Sequence, residues 1–130
     1  MHPALEGISE HMQILGFGIL SQAQKNVFFW HYVNRYDTTV FGVLQTAHAA
    51  EILLKACIAE VNPLLIFTNA AKFTNSQGEL IDPEGLFENG RTLEYSKLPA
   101  KLKEVTGYKI QAIDLYQSLG KTRKFFQHFS

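Results

Sequence analysis

The chain has 130 residues and a mass of 14.7 kDa, which is one domain with a real core and too little for two ordinary ones. Apolar residues make up 46% and charged residues 18%, and ten Phe, five Tyr and one Trp exclude a disordered chain. Net charge is zero with a pI near 7.0, which argues against a polybasic nucleic-acid wrapper, and the single cysteine, Cys57, excludes a disulfide framework and a Cys-cluster zinc site.

In chain order, Met1 to Glu10 lack the basic and apolar regions of a signal peptide. Ile8, Met12, Leu15, Ile19, Ala23, Val27, Trp30 and Val33 recur at steps of three and four, which predicts a long helix from about Ile8 to Tyr36. Gly16 and Gly18 either bend it or admit a close neighbour. Asp37-Thr38-Thr39 predicts a break and a new N-cap. A second helix from about Thr39 to Val61 carries the stripe Val40, Leu44, Ala47, Glu51, Leu54, Ile58 and Val61, and Asn62-Pro63 stops it. Leu64 to Phe67 is compatible with a helical turn or a buried extended piece. No run of about 18 uncharged apolar residues is present, so a soluble cytoplasmic domain without a membrane span is expected.

Thr68 to Arg91 is expected to be a long irregular segment, because Asn69, Asn75-Ser76, Gly78, Asp82-Pro83-Glu84-Gly85 and Glu88-Asn89-Gly90 are turn chemistries. Ser96 is expected to cap a short helix from Lys97 to Thr106, with Pro99 in its first turn and Gly107 past its end. The last helix is predicted from about Lys109 to Phe129, with Ala112, Leu115, Tyr116, Leu119, Arg123, Phe126 and Phe129 on its apolar side. The expected fold is all-α: one up-and-down bundle of about four main helices over residues 1–130, with the irregular segment in the middle. The stop at Phe129-Ser130, one turn after the last polar motif, suggests a fragment of a longer parent.

Few residues offer chemistry. No glycine-rich phosphate loop and no His-Glu-x-x-His is present, and His48 with Glu51, three residues apart on a helix, is too small a ligand set for a metal, so neither metal nor cofactor is expected. Cys57, among Ala56, Ile58 and Ala59, is expected to be a small buried hydrophobe. Glu51 is the oddity, a carboxylate in an apolar stripe that needs a partner. Lys55 at i+4 is the nearer choice, and Arg123, on the apolar side of the last helix, is the alternative.

The last helix carries the strongest motif: Leu119-Gly-Lys121-Thr-Arg123-Lys124-Phe-Phe-Gln-His128-Phe129. It resembles the R-x4-H motif of the HEPN superfamily, the higher eukaryote and prokaryote nucleotide-binding domains. Leu119, Arg123, His128 and Phe129 match the pattern. The residue after the arginine, commonly a small polar one such as asparagine, is Lys124 here. Ala50-Glu-Ile-Leu-Leu-Lys-Ala56 followed by Asn62-Pro-Leu-Leu-Ile-Phe67 is similar to that family's second helix and its exit, so the resemblance covers about Ile8 to Phe129 in three segments. It implies a helical bundle, a homodimer with facing motifs, a metal-independent endoribonuclease, and a nucleotidyltransferase-type antitoxin as partner. Lys124 keeps a second reading open, a non-catalytic nucleotide-binding or protein-interaction module.

The motif's chemistry stands without the family. A histidine can take the 2′-OH proton of RNA near neutral pH, and an arginine offers a planar fork to the phosphate, so His128 and Arg123 are the candidate catalytic pair. Lys121 and Lys124 are the candidate nucleic-acid contacts, and Glu51 the supporting carboxylate. Five residues of ideal helix turn by about 500°, leaving Arg123 and His128 about 140° apart. Convergence on one phosphate therefore requires either that the helix unwinds or that a second copy supplies the partner. The charge is also divided: residues 1–94 hold five Lys/Arg and ten Asp/Glu, and residues 95–130 hold seven and two. That split marks an anion-facing surface unless the two halves neutralise each other by contact.

Overall fold

The structure, a computed structural model, describes the backbone at residues 2–28 and 35–128 and the side chains at 2–26 and 40–128. The described residues form an all-α bundle of five helices: α1 (Ile8–Phe28), α2 (Arg35–Val61), α3 (Pro83–Asn89), α4 (Leu98–Thr106) and α5 (Ile113–His128). α1 and α2 pack antiparallel, because Ser9 Oγ donates to the Ala56 carbonyl at 2.8 Å, Gly16 lies against Leu53, and Asn26 bonds Gln45. Arg35 and Tyr36 already belong to α2, so Asp37 is inside its first turn rather than at a break. Of the expected first-helix stripe, Leu15 faces solvent, and Val27, Trp30 and Val33 lie outside the described side chains.

α2 is the middle layer. Ile52, Leu53 and Ala56 face α1, whereas Ala47, Ala50, Glu51 and Leu54 face Tyr95 and α5. At about 100° per residue these two groups point roughly 180° apart. Covering on both sides explains why the apolar positions are not a single stripe and why Ala47, Ala49, Ala56 and Ala59 are all fully or almost fully buried. Small side chains let both neighbours come close. The same position makes Val40–Val61 apolar over 22 residues at a mean hydropathy of 1.2, enough by length and composition to cross a membrane, which the residue count above did not register. The end of the expected stripe, Val61, is exposed. At the other end of the bundle Ile58, Ala59 and Ile66 pack with Leu98 and Leu102 of α4.

Asn62 ends α2 as expected and caps a 3-10 turn over Pro63–Ile66, its Oδ1 accepting from the Leu64 N–H at 3.1 Å, so the short apolar run is helical from Leu64 to Ile66 and extended at Phe67, which bridges Thr92. The middle segment is more ordered than its composition suggests. Asp82-Pro83-Glu84-Gly85 opens a helix instead of a turn: Asp82 Oδ1 accepts from the Gly85 N–H at 3.0 Å, Pro83 takes the first position and Glu84 lies in the first turn. The Asn69 side chain ties the segment's ends, accepting from the Arg91 N–H at 2.8 Å and donating to the Asn89 carbonyl at 3.0 Å. Leu80 and Leu86 then join Leu5 and Phe73 in a second small core.

Ser96 does not cap α4; it lies in a 3-10 turn, Tyr95–Lys97, that leads directly into the helix. Gly107 closes α4 in the left-handed region (φ 76°), its N–H bonding the Lys103 carbonyl. α5 starts at Ile113, four residues later than Lys109; residues 107–110 have no regular structure and 111–112 form a turn that leads into the helix. Ala112 and Leu115, expected inward, are exposed.

The two glycines of α1 differ. A Cβ on Gly16 would lie 2.7 Å from Leu53 Cδ2, whereas a Cβ on Gly18 would meet nothing within 4 Å. Gly18→Ala is expected to raise stability by about 1 kcal/mol through helix propensity. Gly16→Ala is expected to lose that gain, and to lower stability by about 1 kcal/mol or more, through the clash. Urea denaturation of the two variants, compared with the parent, checks the difference in sign.

Candidate functional site

The site is built around Glu51, halfway along the face of α2 turned to α5. Arg123 Nη1 lies 3.2 Å from Glu51 Oε1, and Lys55 Nζ lies 3.6 Å from Oε2. Both partners weighed from the sequence are present, and the arginine makes the closer contact. With Glu51 17% and Arg123 16% exposed, solvent screens the pair weakly, and a hydrogen bond of this charged kind contributes about 1.5–3 kcal/mol. Lys55 Nζ also donates to Thr92 Oγ1 at 2.9 Å, which couples α2 to the strand-like segment before Tyr95.

Tyr95 and Tyr116 hold the arginine in place. Their rings stack at 4.0 Å with planes 2° apart. Each hydroxyl donates to the other's backbone carbonyl, Tyr95 Oη to Tyr116 O at 2.7 Å and Tyr116 Oη to Tyr95 O. The Arg123 guanidinium lies over the Tyr95 ring, 4.7 Å from its centre. Tyr116, Gly120 and Arg123 follow the spacing i, i+4, i+7 on one face of α5. Gly120 permits this contact, since a Cβ there would lie 2.5 Å from Tyr95 Cε1. Sequence reading placed Tyr116 on the apolar side of the last helix beside Arg123 but missed Tyr95 and the pairing; the available signal was a glycine inside a helix, between an aromatic and an arginine on one face.

One guanidinium N–H is bonded to Glu51. Among the described residues, Nε and Nη2 make no bond to a protein group, and neither is sealed from solvent. The held arginine thus retains donors for an anion.

The other expected site residues lie elsewhere. Lys121, Lys124 and His128 are all exposed. On α5 they fall within about 60° of one another, on the face away from Arg123. α5 runs unbroken to His128, so unwinding after Arg123 does not bring the two motif residues together within one chain. Phe129 lies outside the described residues. Of the Lys and Arg side chains in the basic C-terminal part, Arg123 alone pairs with a carboxylate of the acidic part among the described residues, and Lys101 pairs locally with Glu104. Lys121 and Lys124 have no acidic partner there, so Glu79, Asp82, Glu84 and Glu88 do not neutralise them by contact. Cys57 is exposed rather than buried, because its position on α2 falls between the faces covered by α1 and α5; partial burial, with the Glu60 charge adding to it, raises its thiol pKa. His48 is exposed, and no group of three or more His, Cys, Asp or Glu that could hold a metal occurs among the described residues.

The chain matches no family model, no curated protein and no solved structure.

The tyrosine pair makes stability depend on alkaline pH. Burial, opposed by the Arg123 charge and reinforced by Glu51, pushes the Tyr95 hydroxyl up to about 12. Burial, reinforced by Tyr95 and Glu51, raises Tyr116 as well. A raised folded-state pKa means that the unfolded chain loses its protons first, so the stabilisation is complete below about pH 10 and lost as pH rises toward 12. The thermal midpoint should therefore fall steeply between these values, and Tyr95→Phe should flatten the fall while lowering the neutral-pH stability by about 1–2 kcal/mol. Thermal melts across the alkaline range, read by circular dichroism, check both effects.

Proposed function

We propose that this chain is an RNA-directed helical domain that engages the phosphate backbone along α5. The observation that carries the reading is the stripe Lys121, Lys124 and His128 on one exposed face of α5. Among the described residues neither lysine has an acidic partner, and the sequence from Gln117 to His128 contains no acidic residue at all. Phosphate contacts of this kind give affinity without base specificity. Arg123 supports the stripe from behind. Its bond to Glu51 and its place over Tyr95 fix the roll of α5, and its remaining donors stay available to an anion.

The finer reading is a metal-independent endoribonuclease of HEPN type. There His128 takes the 2′-OH proton, an arginine stabilises the charge on the phosphate, and a 2′,3′-cyclic phosphate is left. Because the unbroken helix separates Arg123 from His128 within one chain, this chemistry calls for two chains with facing motifs. The same resemblance implies a nucleotidyltransferase-type antitoxin as a second partner. One observation favours the non-catalytic module instead: Arg123 is already committed to Glu51 and Tyr95.

Fluorescence anisotropy with labelled single-stranded RNA tests the binding. The double variant Lys121→Glu/Lys124→Glu should weaken binding at least about tenfold and flatten the salt dependence by about 1.4 log units per log unit of salt, two phosphate contacts' worth. No binding by the parent at low salt, or a salt slope that the double variant leaves unchanged, would overturn the reading. Incubation of RNA in EDTA tests the chemistry: cutting by the parent should be abolished in His128→Ala with binding nearly kept, and raised in Lys124→Asn. Absence of cutting in both parent and Lys124→Asn decides for the non-catalytic module.

A further inference from the structure

The segment 68–91 takes no part in the α5 stripe or in the set around Glu51, and irregular stretches of this length in a compact domain are commonly functional. Its two ends are tied side by side. Phe67 bridges Thr92, and the Thr68 N–H and hydroxyl both donate to the Arg91 carbonyl, at 2.7 and 3.1 Å. Asn69 spends its side chain on the same tie, accepting from the Arg91 N–H and donating to the Asn89 carbonyl.

Beside this tie lies an open hollow of about 470 Å³, within the range of small-molecule sites. Three charged side chains line it, each from a different piece of the segment. Lys72 comes from the 3-10 turn Ala70–Phe73, Glu88 from the last turn of α3, and Arg91 from the stretch that follows. The buried ring of Phe73 lines it as well. Among the described residues, none of the three charges makes an ion pair or a side-chain hydrogen bond, although both signs border one hollow. The backbone at Arg91 and just after Glu88 is fixed beforehand by Thr68 and Asn69, which lowers the ordering cost of binding.

We propose that this hollow binds a small acidic zwitterion, a molecule with two acidic groups and one ammonium, of which the acidic amino acids are the simplest case. The charge set selects the class. A simple anion would bring its charge against Glu88, and a simple amine would face Lys72 and Arg91. A ligand of both signs meets all three, and two cations with one carboxylate match two acidic groups with one ammonium. Arg91 offers a planar fork to one carboxylate, and Lys72 a point charge to the other. Glu88 accepts from the ammonium, and the aliphatic part of the ligand lies toward Phe73. The three charged side chains are exposed, so solvent screens them and the expected dissociation constant is about a millimolar. The site shares no residue with Lys121, Lys124 or His128, so it is independent of the RNA reading.

Titration of the full chain with L-glutamate at constant ionic strength, followed by amide NMR shifts, tests the proposal. Saturable shifts should appear at residues 69–73 and 88–91. Lys72→Gln and Arg91→Gln should each weaken binding about tenfold, and exposure of both side chains should leave the thermal midpoint near that of the parent. Glutarate, the same dicarboxylate without the ammonium, separates a zwitterion site from a plain anion site. The parent should prefer L-glutamate to glutarate about tenfold, and Glu88→Gln should reverse that order by weakening the first and strengthening the second. Absence of saturable shifts up to about 20 mM L-glutamate, roughly twenty times the expected constant, overturns the proposal. Shifts confined to other parts of the chain, equal binding of glutarate by the parent, or L-glutamate binding indifferent to Glu88→Gln or Arg91→Gln overturn it as well.

Discussion

A carboxylate set in the face of a helix that is covered on both sides has to find a cation, and most of the arrangement around α5 follows from how Glu51 does so. α1 occupies one side of α2, so Glu51 is left on the other, with Lys55 one turn along and Arg123 across the gap. The lysine alone would neutralise the charge. The arginine does more, since its planar group bonds the carboxylate while lying over Tyr95. Tyr95 is in turn locked to Tyr116 by stacking and by two hydroxyl-to-carbonyl bonds, and Tyr116 belongs to the same helix as Arg123. The loop ends on itself: α5 is fixed by two of its own residues gripping one tyrosine, and by one of those two gripping α2.

Such a closed set is sensitive to shape as much as to charge. Gly120 is the place where α5 and the Tyr95 ring touch, and a single methyl group there would push the ring off both its partners. The alanines of α2 play the same part on a larger scale, since a bulkier middle layer would hold α1 and α5 too far from the polar contacts that orient them.

What could be read from the sequence and what could not divides along the same physical line. Helix against strand was legible because the apolar spacing is local. The Asn62-Pro63 stop and the Gly107 end were legible because Pro and a left-handed glycine constrain their own backbone. α3 was missed because Asp-Pro-Glu-Gly serves a turn or a helix start equally well, and the choice falls to Leu86 finding Leu5, Phe73 and Leu80. Leu15 and Leu115 were placed inward because periodicity assigns a face without saying how wide a neighbour covers it. Glu51 was legible as an anomaly, and Arg123 as one of its two partners. Tyr95 was invisible, since it stands 21 residues from Tyr116 in a turn with no periodicity of its own.

The R-x4-H spacing takes on a definite meaning on this backbone. Arginine and histidine five residues apart on an unbroken helix look in different directions, one into the protein and one out of it. The inward residue can then be pre-set by its surroundings, as Arg123 is by Glu51 and Tyr95, at no conformational cost when an anion arrives. The outward residue shares an exposed face with Lys121 and Lys124. One helix thereby separates a fixed charge from an exposed basic face. The spacing that prevents one chain from closing both groups on a single phosphate is also what allows each to be stabilised by its own environment.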